Sequence, residues 1–101
     1  METDAMSAYL ICQVEIHDVE VYRQYTIKSP AIIAAHGGKI LVRGGATVTI
    51  EGTENNRRIV VVEFPSMDAA LAFYNSPEYQ AAKLIRAPAS DAQFLIAQGV
   101  E

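Results

Sequence analysis

The chain has 101 residues, 50% of them apolar and 20% charged, with a formal net charge of −4. That length suits one domain, spanning residues 1–101, with a modest core. The acidic balance excludes nucleic acid as a main partner, which needs a basic face, and a polybasic membrane contact. Cys12 is the single cysteine, so no intramolecular disulfide can form and the chain does not read as a stapled secreted scaffold. No apolar stretch approaches the roughly 18 residues of a membrane span. The start, METDAMSAYL, lacks the basic and apolar regions of a signal peptide. The expected address is the cytoplasm, and residues 1–7 read as a loose leader.

Residues Ala8 to Ile16 alternate, with Ala8, Leu10, Cys12, Val14 and Ile16 forming one dry face; this is a strand. Asp18 can cap a following helix, with Glu20 in its first turn and Val21, Tyr22 and Tyr25 at helical spacing. Pro30 predicts a kink or restart near Ser29, and Gly37 the end of the helix. Lys39–Arg43 is a strand by its branched residues. Gly44-Gly45 predicts a bend, after which Ala46–Glu51 resumes the alternation as one arm of a hairpin. Thr53 to Asn56 forms its tip. Arg58–Phe64, RIVVVEF, is nearly continuous in apolar residues and is expected to be central with both faces covered. Ser66 caps a helix over Met67–Asn75, and Ser76-Pro77-Glu78 starts a second piece over Pro77–Arg86. Asp91–Gln98 is the last strand.

This β-α-β-β-α-β order is the ferredoxin-like, split-βαβ pattern of the α+β class: a four-stranded antiparallel sheet with both helices on one face. The other face would be bare. An uncovered apolar sheet is unusual in a monomer, so the expected partner is a second copy, sheet against sheet. The glycine-rich stretch GGKILVRGG leads into a β-run and not a helix, which excludes a phosphate-cradling loop.

Taken together, HGGKILVRGG, RRIVVVEFPS and AFYNSPEYQAAKLIR resemble the DUF1330 family within the dimeric α/β-barrel superfamily. The resemblance covers about residues 8–99. It implies a ferredoxin-like dimer. The superfamily contains cofactor-independent monooxygenases, isomerases, haem enzymes and plain binding proteins, so fold alone does not select an activity.

Few residues look like chemistry. Arg43, before the glycine bend, could clamp a carboxylate through both arms of its guanidinium; the competing reading pairs it with Glu51 or Glu63. Tyr79 and Arg86 lie two turns apart on one helix face, about 10 Å. With Tyr74 and either Tyr22 or Tyr25 they could line a cleft between helices and sheet, or simply form core. Candidate bases are His36, at a helix end, and Glu63, whose pKa burial would raise. The two histidines and Cys12 show no ligand-like spacing, so no metal is expected, nor any other cofactor. Cys12 lies in an apolar row and reads as core. The chain is therefore expected to be a homodimer binding a polar or anionic organic ligand. The alternatives are a cofactor-independent monooxygenase- or isomerase-like enzyme, or a non-catalytic dimer module.

Overall fold

A computed structural model describes residues 6–100; residues 1–5 of the expected leader lie outside them. The elements are β1 (Ala8–Ile16), α1 (Val19–Ala35), β2 (Lys39–Arg43), β3 (Arg58–Phe64), α2 (Met67–Asn75), α3 (Pro77–Arg86), a single 3-10 turn (Ala87–Ala89) and β4 (Ser90–Gln98). The strands form one antiparallel sheet in the order β2-β3-β1-β4, the ferredoxin-like arrangement.

The alternation of β1 decides which face is dry. Ala8, Leu10, Cys12 and Val14 are buried beneath the helices together with Val62 and Phe64 of β3. Register places Cys12 opposite Val60 and Phe94, and Leu10 opposite Val62 and Ile96. Phe64, Phe73, Tyr79 and Phe94 then stack into an aromatic core, with ring centroids 4.6 Å apart for Phe73 and Tyr79.

Three expectations need correction. α1 runs unbroken past Pro30. Its buried residues Tyr22, Tyr25, Ser29 and Ile33 keep a spacing of three or four through the proline, so packing outweighs the one lost backbone bond. Second, β3 is central in order but helix-covered on one face only: Val62 and Phe64 are buried, whereas Ile59, Val61 and Glu63 on the other face are half-buried. Third, Ala46–Glu51 is not a strand. The ladder ends where the Gly44 N–H donates to the Ile59 carbonyl at 2.8 Å. Gly44 then turns away at φ +70°, and a side chain there would run into the Arg58 guanidinium. β3 begins at Arg58, so residues 46–51 have no strand beside them to pair with. They form an extended arm, closed by the Asn55 N–H on Thr49 Oγ1 at 2.9 Å. Alternation alone cannot report whether a partner strand exists.

The two helical pieces after β3 keep their expected bounds because Ser76 serves both. Its hydroxyl donates to the Phe73 carbonyl at 2.8 Å, ending α2, and accepts from the Tyr79 N–H at 3.1 Å, starting α3. Replacing Ser76 with alanine should lower unfolding stability by about 1–2 kcal/mol, read by chemical denaturation. Ser66→Ala, which loses only the bond from the Ala69 N–H, should cost less.

Candidate functional site

Tyr79 and Arg86 share one face of α3, as their spacing predicts, and α1 packs against that face. The Tyr79 hydroxyl lies 2.9 Å from that of Tyr25 on α1 and accepts from Arg86 Nε at 3.3 Å. Tyr79 is fully buried and Arg86 is 6% exposed. Burial pushes the phenol of Tyr25 well above its ordinary range and raises that of Tyr79 by disfavouring the charged form, so they act as neutral hydrogen-bonding groups. The Arg86 guanidinium lies over the Phe94 ring, with Cζ 4.3 Å from its centroid. Among the described residues no carboxylate pairs with it. Burial opposes its charge, and the surrounding oxygens of Tyr79, Tyr25 and Tyr74 together offset this, so its pKa is raised.

Arg86 forms the inner wall of an open cleft of about 470 Å³ between α2, α3 and β4, lined also by Arg57, Tyr74, Lys83, Ser90, Asp91 and Phe94. Lys83 Nζ donates to the Tyr74 hydroxyl at 2.7 Å and stands 5.0 Å from that ring's centre. The one carboxylate in the lining, Asp91, is held by His17 Nε2 at 3.0 Å. Three cations thus converge on a cleft with aromatic walls and a single, already paired acid. Arg57 and Lys83 were not singled out from the sequence. Lys83 was legible, being four residues after Tyr79 and three before Arg86 on the same helix face. Arg57 was not, because only the β3–β1–β4 pairing brings it to the cleft.

The expected ligand residues do not share one pocket. Tyr74 and Arg86 line the cleft, and Tyr25 and Tyr79 form the buried link behind it. Arg43 is at the far edge of the sheet, in a groove beside α1 with Arg58. No ion pair joins it to Glu51 or Glu63 among the described residues. Glu63 lies on the open sheet face, where it accepts from the Tyr9 hydroxyl at 3.3 Å. His36 caps α1 and donates from Nδ1 to the Ile32 carbonyl at 3.0 Å, its ring edge-on to Phe73. Neither candidate base reaches the cleft. Glu15, His17 and Asp91 bring three donor atoms within 4.8 Å of one another at the end of the β1–β4 pair. All three are exposed, and Arg57 stands 4.0 Å from Glu15 as an internal counter-charge.

The profile of DUF1330, a domain of unknown function, matches residues 7–100. The chain belongs to the DUF1330 family. No curated protein is detectably similar in sequence. Among solved structures, the fold resembles the RPA0582 protein of unknown function from Rhodopseudomonas palustris: TM-score 0.76, 17% identity, covering 97% of this chain and 85% of that one. It also resembles SnoaB, a cofactor-independent oxygenase from Streptomyces nogalater, with TM-score 0.69, 12% identity and 96% of each chain covered. A dimeric ferredoxin-like protein of unknown function from Thermobifida fusca aligns with TM-score 0.65 and 18% identity, over 98% of this chain and 96% of its own. At these identities the likeness establishes the fold. No helix among the described residues is long and apolar enough to cross a membrane.

Cys12 is core in this DUF1330 chain: burial raises its thiol from the ordinary 9.0 to about 12. The unfolded chain therefore loses this proton first. Stability is full below pH 9 and should fall as pH rises towards 12, by up to about 1.4 kcal/mol per pH unit for each such proton. Tyr22 and Tyr25, also raised by burial, should add to the slope above pH 10. Denaturation at stepped pH tests this, and Cys12→Ala should flatten the slope between pH 9 and 10 first.

Proposed function

We propose that this DUF1330 protein is a cytoplasmic, homodimeric small-molecule-binding protein that takes an organic anion in the cleft between α2, α3 and β4. The observation that carries the reading is the convergence of Arg57, Lys83 and Arg86 on one cleft of about 470 Å³, where Arg86 is buried with no acidic partner among the described residues. A buried guanidinium is retained at a cost unless something pairs with it, and it suits a carboxylate bound at two points. Tyr74 and Phe94 supply apolar walls for the rest of such a ligand. The acidic overall charge and the single buried cysteine support the cytoplasmic address.

The homodimer reading rests on the open sheet face. Register aligns Val42, Val61, Ile11 and Leu95 in a row across all four strands, and Val42 and Leu95 are exposed. The arm adds Val48 and Ile50, 83% and 92% exposed. Apolar surface of this kind is usually covered in solution. The ferredoxin-like neighbour described as dimeric supports a second copy as the cover.

A catalytic alternative, chemistry of the cofactor-independent oxygenase type, draws support from the likeness to SnoaB. It is the weaker reading, because His36 and Glu63 both lie away from the cleft and none of the cleft's own side chains is placed as a base against a bound anion.

Two measurements test these readings. A thermal-shift series of aromatic and aliphatic carboxylates should stabilise the wild type, by about 2.7 kcal/mol at ~100 times the dissociation constant. Lys83→Gln and Arg57→Gln should each reduce that gain at unchanged basal melting temperature; an undiminished gain in both would remove the cleft as the site. Separately, Val61→Glu should convert the dimer to a monomer in light scattering, and an unchanged mass would move the interface off the sheet.

A further inference from the structure

A second cationic site lies on the opposite side of the helix layer from the cleft. Register pairs Arg43 with Val60, and Arg58 precedes Val60 by two, so both arginines point to the helix-covered face of the sheet. They meet beside α1 in a groove of about 230 Å³, lined also by Ile16, Val19, Tyr22 and Arg23. Among the described residues three guanidiniums line this groove and no carboxylate does. Glu20 holds Arg23 from the solvent side at 3.4 Å. Among the described residues neither Arg43 nor Arg58 has an acidic partner.

Arg58 carries the decisive detail. Its guanidinium is held over the Tyr22 ring, with Cζ 5.9 Å from the centroid, and its Nε is buried with no hydrogen-bond partner. A buried donor without a partner is costly and rare, and calls for an explanation such as an ion or ligand. Like charges on adjacent strands add a further cost. An anion in the groove would relieve both. Behind the arginines the groove joins an apolar cavity of about 40 Å³ under α1, lined by Cys12, Tyr25, Ser29 and Ile33 among others. On this measure one water needs about 10–15 Å³, so the cavity has room for a small apolar group.

We propose that Arg43 and Arg58 form a binding site for a small apolar monocarboxylate, its carboxylate held between the two guanidiniums and its apolar body against Ile16, Val19 and Tyr22. A carboxylate fits better than phosphate because the surroundings are apolar, and burying a second charge there would cost more. The groove shares no lining residue with the α2–α3–β4 cleft, and the cavity behind it meets the cleft's lining only at Phe94.

Titration of the wild-type protein with isovalerate, benzoate and, separately, inorganic phosphate, followed by amide NMR shifts of Val19, Tyr22 and Thr26, tests this. The expected result is saturable movement of these amides with a carboxylate, not matched by phosphate. Arg43→Gln and Arg58→Gln should weaken binding at least tenfold, and Lys83→Gln should leave these amides' response unchanged. Arg43→Lys, which keeps the charge and loses the two-point geometry, guards against a simple folding defect: weaker binding at unchanged melting temperature supports the site. Absence of saturable movement at the groove, equal binding of phosphate, or loss of the response in Lys83→Gln alone would each overturn the proposal. So would an Arg43→Gln chain that dissociates to monomer without any ligand, since the groove would then be holding an acidic side chain of a second copy.

Discussion

The Tyr79 hydroxyl is buried where water does not reach it, and an unpartnered polar group there would cost more than most single contacts return. It is satisfied by Tyr25 from α1 and by Arg86 from its own helix. That requirement ties α1 to α3 and pins the Arg86 guanidinium against Phe94. The same contacts leave one side of Arg86 facing the cleft. A structural need of the core therefore places the group on which the proposed anion site rests, so the same residue serves the fold and that proposal.

The second constraint is one-sided cover. Each crossover of the split-βαβ topology returns over the same face, so among the described residues one face of the sheet carries α1, α2 and α3 and the other carries no helix. Charged groups follow that asymmetry. Glu63 and Tyr9 pair on the open face, beside the row formed by Val42, Val61, Ile11 and Leu95. The arginines without an acidic partner among the described residues gather at the rims of the covered face, Arg86 on the β4 side and Arg43 with Arg58 on the β2 side. Rims are where a long side chain can bury its stem and still present its head.

Much of the fold was legible along the chain, for local reasons. The β1 alternation, the Ser76 cap with Pro77 behind it, and the Gly37 helix stop each act through neighbouring backbone, and the structure keeps all three. Ala46–Glu51 was misread because its alternation is real but its ladder is missing. Pro30 was misread because its local penalty is smaller than the packing of Tyr22, Tyr25, Ser29 and Ile33 around it. At the site, Tyr79, Tyr74 and Arg86 were legible from helical spacing, and Lys83 stood between them. Arg57 and Arg58 gave no signal that spacing could show, since their roles come from strands distant in sequence.

What the sequence by itself determined is the order of the main strands and helices, the dry face of β1, and membership of the DUF1330 family, because caps, periodicity and motif residues are short-range properties. Only the tertiary structure decided which cations meet. Arg43 and Arg86, both candidates for one pocket, are separated because β2 and β4 are opposite edges of the sheet. Arg43 gains Arg58, and Arg86 gains Arg57, through strand register and helix docking, and those long-range pairings are what no local pattern encodes; Lys83 joins Arg86 along one helix face.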